Sequence, residues 1–111
     1  MSHALRRNPD FRTDLRVQII WYLEDADEDV ARRFETPVEQ TVLAIIQQPE
    51  IGRVRNFQHS RLRGLHSFRV RRPFNKFVLF YRVDDHAIEF WRLMYGSRDL
   101  PRRLLQPPGM D

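Results

Sequence analysis

The sequence predicts an α+β domain: a helix hairpin packed on one face of a small antiparallel sheet, in the order β-α-α-β-β-β, closed by a short C-terminal helix. Three observations predict it. Residues 9–48 carry apolar positions at three-to-four spacing, the period of helices with one buried face. Residues 65–95 carry β-branched and aromatic residues in short runs, one of them strictly alternating. The polar break Asp84-Asp85-His86 is short enough to join two antiparallel strands. Helices followed by a run of strands imply segregated layers.

Residues 2–7 are read as an edge strand added to that sheet. Asn8-Pro9-Asp10 is a helix start, with asparagine as N-cap, proline at the first helical position and an acid in the first turn. Phe11, Leu15, Ile19 and Tyr22 form the buried stripe of the first helix, and Ile20 and Leu23 widen it. Residues 24–29 interrupt the pattern with five acids, which favour the N-terminus of the next helix.

The second helix is expected from about residue 29 to residue 48, with a stripe of Ala31, Phe34, Val38, Val42, Ile45 and Ile46. Pro37 lies inside it. Either the helix kinks there, or it begins there with Thr36 as N-cap and Glu39 in the capping-box position. The stripe keeps its phase across the proline, which favours one kinked helix.

Residues 50–64 read as a basic loop punctuated by Gly52 and Gly64. Residues 65–71 then alternate. His66, Phe68 and Val70 are expected on the core face, and Ser67, Arg69 and Arg71 on a basic outer face. Residues 77–83 and 87–94 form the hairpin. Gly96 turns the chain, Asp99 opens the last helix, and residues 106–111 are a flexible tail after a single domain of residues 1–105.

Charge is unevenly placed along the chain. Residues 10–50 hold ten acids against four bases, a net −6, whereas residues 51–110 hold thirteen bases against four acids, a net +9. No acid occurs from Ile51 to Val83, and eighteen of the nineteen bases are arginine. An arginine-rich proteome yields such a bias; so does a surface that recognises a polyanion or an acidic protein, and the acid-free stretch favours the second. Phe57, Phe68, Phe74 and Phe77 interleave with these arginines, a pattern compatible with base stacking but more simply core.

The absence of cysteine excludes disulfides, thiolate metal sites and cysteine nucleophiles. No apolar run is long enough to span a bilayer, and the N-terminus has no signal-peptide core, so the chain is expected to be soluble and cytoplasmic. No glycine-rich phosphate loop and no metal-ligand spacing is present; no cofactor is expected. Of the histidines, only His59 in the basic loop is placed like a general acid or base, and a surface role suits it better. Asp84 and Asp85 belong to the turn, where aspartate bonds locally. Asp99 either caps the last helix beside a surface Arg98, or Arg98 reaches across the sheet end to Arg69 and Arg92 and sets Tyr95 among arginines.

The segments Phe68-Arg69-Val70, Phe74-Asn75-Lys76-Phe77, Val78-Leu79-Phe80-Tyr81-Arg82, Ile88-Glu89-Phe90-Trp91-Arg92-Leu93 and Gly96-Ser97-Arg98-Asp99-Leu100 resemble the ParE branch of the RelE/ParE toxins, the toxin halves of bacterial type II toxin–antitoxin pairs. Asp14-Leu15, Ile19-Ile20-Trp21-Tyr22 and Pro49-Glu50-Ile51-Gly52 fit the same pattern upstream, so the resemblance covers nearly the whole chain. The chain departs from it at Tyr95, where the family often has histidine.

The resemblance implies a protein that inhibits DNA gyrase by binding it, without chemistry of its own. The alternative it carries is a RelE-like nuclease that cleaves mRNA on the ribosome, and a third is a non-toxic remnant that only binds antitoxin. A cognate antitoxin is implied in every case. It is expected to present an acidic and apolar segment to the arginine-rich sheet and the helix hairpin, in a toxin–antitoxin hetero-oligomer. The residues expected to bind antitoxin or target are Arg61, Arg63, Arg69, Arg71, Arg82, Arg92, Tyr95 and Arg98.

Overall fold

The computed structural model describes residues 3–96 and 98–109. Ser2 at the start of the expected edge strand, Ser97 in the glycine turn and residues 110–111 of the expected tail lie outside the described residues. The elements run β1 (Ala4–Arg7), α1 (Pro9–Asp25), α2 (Glu28–Gln47), β2 (Arg53–Val54), a 3-10 turn (Ser60–Leu62), β3 (His66–Arg69), β4 (Phe77–Val83), β5 (Ala87–Tyr95) and α3 (Arg102–Leu105). The α+β class and the order β-α-α-β-β-β with a short C-terminal helix are those the sequence predicts, apart from the two-residue β2.

Local chemistry sets the helix boundaries. Asn8 Oδ1 accepts from Asp10 N–H at 2.9 Å, which caps α1 ahead of Pro9. Asp27 Oδ1 accepts from Val30 N–H at 2.8 Å and caps α2, so the acidic run supplies a cap as expected. Pro37 lies inside a continuous α2. It removes one backbone donor. Thr41, fully buried one turn later, donates its hydroxyl to Pro37 O at 2.7 Å and accepts from Arg71 N–H at 3.0 Å.

The sheet order is β1-β5-β4-β3-β2. β2, β3, β4 and β5 pair antiparallel in sequence, but β1 joins β5 in parallel, with Leu5 opposite Ile88 and Arg7 opposite Phe90. The sheet is therefore mixed, where the sequence led us to expect an antiparallel one. A strand at the N-terminus has no hairpin to fix its direction, and nothing in residues 3–7 encodes it. β2 is also new: two residues within the expected loop pair with β3, too few to leave any period. Asp84 closes the hairpin as expected, its Oδ1 accepting from His86 N–H at 2.7 Å and Ala87 N–H at 2.8 Å. Gly96 sits at φ +73°, the left-handed region that glycine enters without steric cost.

Alternation along β4 divides two cores. Phe77, Leu79 and Tyr81 face the helices and join Phe11, Phe34, Val38, Val42 and Ile45. Val78 and Phe80 face the other way, onto Leu62, Leu65, Trp91, Met94 and Leu104. The second face was expected to be a solvated basic surface. It is instead covered by the 3-10 turn and α3, and Ser67 is buried there while Arg69 and Arg71 remain exposed. A β-bulge at Phe80/Tyr81, facing Phe90 and Arg92, lets both Trp91 and Arg92 be buried. In α1 the inner stripe packs as predicted, but Ile20 and Leu23 are 44% and 50% exposed and do not widen it.

Candidate partner-binding surface

Part of the arginine-rich segment is ordered by a residue on a strand of the sheet. Arg82, near the end of β4, donates from Nε to Arg63 O at 2.9 Å and from Nη2 to Arg61 O. Its guanidinium lies over the Trp91 ring at 5.0 Å and 3.7 Å from Glu89. Burial pulls its pKa below the ordinary arginine value, and Glu89 opposes that shift. Arg82 thus fastens the loop backbone, which leaves the side chains of Arg61 and Arg63 exposed. Arg69 is exposed as well, with Nη1 donating to Asn75 O at 3.0 Å, and Arg71 is exposed where Thr41 holds its backbone. Nearby Arg55 stacks over Phe57 at 5.1 Å and donates to Ser67 Oγ at 3.3 Å.

Arg92 does not belong to that surface. It is 3% exposed. Its Nε and Nη2 donate to the two carboxylate oxygens of Asp14 at 2.7 and 3.0 Å, and its Nη1 donates to Leu104 O at 3.2 Å and Gln106 O at 2.7 Å. Asp14 also accepts from Leu93 N–H at 2.9 Å. Burial pushes the Asp14 carboxyl above its ordinary pKa, against the pull of Arg92 and the Leu93 amide. This side chain ties α1, β5 and the chain after α3 together. Arg98 is exposed and its carbonyl accepts from Arg103 Nη1 at 3.2 Å. Of the two roles open to Arg98, its convergence with Arg69 and Arg92 is precluded by the enclosure of Arg92.

Tyr95 lines a small cavity of about 100 Å³ with Asp14, Arg92 and Arg103 on one side and packs on Phe77 on the other. Its ring meets Phe77 edge-on at 5.1 Å, and it is 55% exposed. Gln18, Trp21, Tyr22, Phe77 and Tyr95 line an open groove of about 520 Å³ between α1 and the end of β5. Trp21 is 52% exposed on the groove's far side and stacks edge-on with Tyr22 at 5.3 Å. Trp21 was not anticipated as a surface residue. The signal was present, because it falls outside the three-to-four stripe of Phe11, Leu15, Ile19 and Tyr22. Asp14 had a signal too: an acid on the inward side of a helix calls for a buried partner.

Asp99 is at φ 60°, its carbonyl accepting from Arg103 N–H at 3.0 Å and its carboxylate bonded to Arg102 at 3.2 Å. The residue preceding α3 is Pro101, without a side-chain cap, so Asp99 acts on the last turn through its backbone and the Arg102 pair. His59 Nδ1 accepts from Arg61 N–H at 3.1 Å and caps the 3-10 turn. His66 is buried and stacked on Tyr81 at 5.1 Å. Among the described residues no group of three or more histidines and acids is arranged to hold a metal ion, and no helix is long and apolar enough to cross a membrane. Arg61, Arg63, Arg69 and Arg71 are exposed, and an aromatic groove lies at the end of β5.

A family model described as the ParE toxin of the type II toxin–antitoxin system parDE matches residues 5–100. Among solved structures, the chain is similar to one from the chromosomal ParDE toxin–antitoxin system of P. aeruginosa, at 17% identity and a TM-score of 0.68, covering 86% of this chain and 97% of that one. No curated protein matches the sequence.

Proposed function

The chain belongs to the ParE toxin family of type II toxin–antitoxin systems, and from that premise we propose that it inhibits DNA gyrase by binding it and is neutralised by a cognate antitoxin in a hetero-oligomer in the cytoplasm. The observation that carries this reading is the setting of Tyr95. Its phenol borders an aromatic groove with Trp21 and Phe77, a setting suited to an apolar protein side chain. A nuclease requires a group that activates the 2′-hydroxyl and an acid for the leaving oxygen, arranged around cations for the phosphate. Of Arg69, Arg82, Arg98 and Tyr95, which could supply parts of that set, Arg82 is bonded to the carbonyls of Arg61 and Arg63.

The antitoxin engages exposed arginines among Arg61, Arg63, Arg69 and Arg71 with an acidic segment, where opposite charge accelerates encounter. Induction in a bacterial host separates the readings. Loss of supercoiling in plasmid DNA with a DNA-damage response is the expected result. Immediate translation arrest with cut messages overturns it in favour of the nuclease, and unimpaired growth overturns it in favour of an antitoxin-binding remnant.

A further inference from the structure

The aromatic groove beside Tyr95 is specific in shape as well as in polarity. Its four rings come in two edge-on pairs, Trp21 with Tyr22 at an interplanar angle of 73° and Phe77 with Tyr95 at 71°. Rings crossed in this way leave notches between them rather than a flat floor. The fifth lining residue is Gln18, so none of the five carries a charge. Asp25 lies one turn beyond Trp21 on α1 and Lys76 immediately before Phe77, one charge of each sign, so charge does not choose the occupant.

The polar groups of the lining are ring tips and one amide. The Trp21 indole N–H only donates, and the Tyr22 and Tyr95 hydroxyls and the Gln18 amide can donate as well. Burial pushes the Tyr22 phenol above its ordinary pKa, against a hydrogen bond from Gln18, which keeps it a donor. Donors set among apolar rings call for an occupant that brings apolar bulk together with unspent acceptors. A helix spends its carbonyls internally. A polyproline II segment has no internal hydrogen bonds, presents its carbonyls outward and is extended before it binds, so it loses little freedom on docking.

The chain itself places such a segment next door. Gln106, at φ −85° and ψ 146°, leaves α3 in the polyproline II region and leads into Pro107-Pro108. Pro107 and Gly109 line the adjoining cavity of about 100 Å³, which shares Gln18, Phe77 and Tyr95 with the groove. Tyr95 thus borders a proline of this chain in one cavity and the open groove in the other.

We propose that the groove receives an extended, proline-bearing segment of the target protein in the polyproline II conformation, an inference that rests on the groove being the target-binding surface. Proline rings fill the notches between the edge-on pairs, and carbonyls of the segment accept from the Trp21 indole and the Tyr95 hydroxyl.

Octaproline titrated into the isotopically labelled chain tests it by NMR. The expected result is saturable shifts of the Trp21 indole N–H and the Tyr95 amide, with none from a Gly-Ser peptide of equal length. Trp21→Ala and Tyr95→Ala are each expected to weaken binding about tenfold, and Val54→Ala, exposed on β2, leaves it unchanged. Circular dichroism checks that each variant folds. In a supercoiling assay octaproline is expected to relieve inhibition of gyrase by the chain. A chain that binds octaproline through Trp21 and Tyr95 but does not inhibit gyrase supports the groove's preference for proline and overturns the function proposed above. Absent shifts, equal shifts with the Gly-Ser peptide, or an affinity indifferent to Trp21→Ala overturn the groove's preference. Octaproline that displaces the antitoxin but leaves gyrase inhibited overturns the choice of occupant in favour of the antitoxin. A dimer of the chain that octaproline dissociates overturns it in favour of a second copy's Pro107-Pro108.

Discussion

The backbone N–H of Gly52 donates to the Tyr81 hydroxyl at 2.9 Å, and no side chain fits between them: a Cβ on Gly52 falls 2.5 Å from that oxygen and 3.0 Å from Ser67 O. The same hydroxyl donates to Pro49 O at 2.7 Å, so one phenol from the middle of the sheet fixes the turn that follows α2. Burial raises its pKa, which keeps it a donor.

Two substitutions probe this contact. Gly52→Ala forces the turn away from β4 and is expected to cost about 1–3 kcal/mol through overpacking against backbone. Tyr81→Phe keeps the ring but leaves a buried amide and carbonyl without partners, again at about 1–3 kcal/mol. Urea denaturation measures both. A Gly52→Ala protein as stable as the parent means that the turn is free to move.

The Asp14–Arg92 pair makes a sharper case. Removing one member leaves a buried charge uncompensated, so Asp14→Ala is expected to lose about 3–5 kcal/mol. Asp14→Leu together with Arg92→Met removes both charges and is expected to recover most of that loss. Recovery is incomplete, because the Leu93 amide and the carbonyls of Leu104 and Gln106 lose their partners as well. A double variant no better than Asp14→Ala sinks this account.

Asp84 gives the fold a pH dependence. Its pKa is lowered by the hydrogen bonds from His86 N–H and Ala87 N–H. A carboxylate with a lowered folded-state pKa contributes stability that is full above its unfolded value, about 3.9, and is lost as pH falls through the folded value. Asp84→Asn keeps an acceptor but not the charge. The difference in melting temperature between the two proteins is expected to be constant at neutral pH and to shrink on acidification below about pH 4. A difference that grows on acidification reverses the assignment.

For the exposed arginines the readout is kinetic. Arg69→Glu with Arg71→Glu is expected to slow antitoxin association by about tenfold at low salt and to flatten its salt dependence, with little change in folding. Association measured by surface plasmon resonance across salt concentrations distinguishes the cases. Unchanged on-rates remove Arg69 and Arg71 from the antitoxin site.

Much of the fold was legible because its signals are local. Asn8 and Asp27 announce their helices by capping chemistry, Asp84 announces its turn, and the stripe of α2 keeps its phase across Pro37 in one continuous helix. What escaped was long-range. The direction of β1 depends on a strand some eighty residues away, and the pairing of β2 rests on only two residues. The surface was read less well than the core. Arg92 is one arginine among eighteen in composition, and only the inward Asp14, seventy-eight residues earlier, marks it as internal. Nothing in the sequence marks Phe77 as the neighbour of Tyr95, because that contact follows from the pairing of β4 with β5.

The parallel pairing of β1 with β5 constrains the order in which the protein can assemble. Ala4 N–H donates to His86 O and Asn8 N–H to Phe90 O, across some eighty residues, and such non-local closure is slow. The edge of the sheet, the α1 anchor at Asp14 and the Arg92 clamp on residues 104 and 106 all wait for β5. A chain stopped before Arg92 lacks all three, so nothing short of the whole hairpin locks the first strand and the first helix in place.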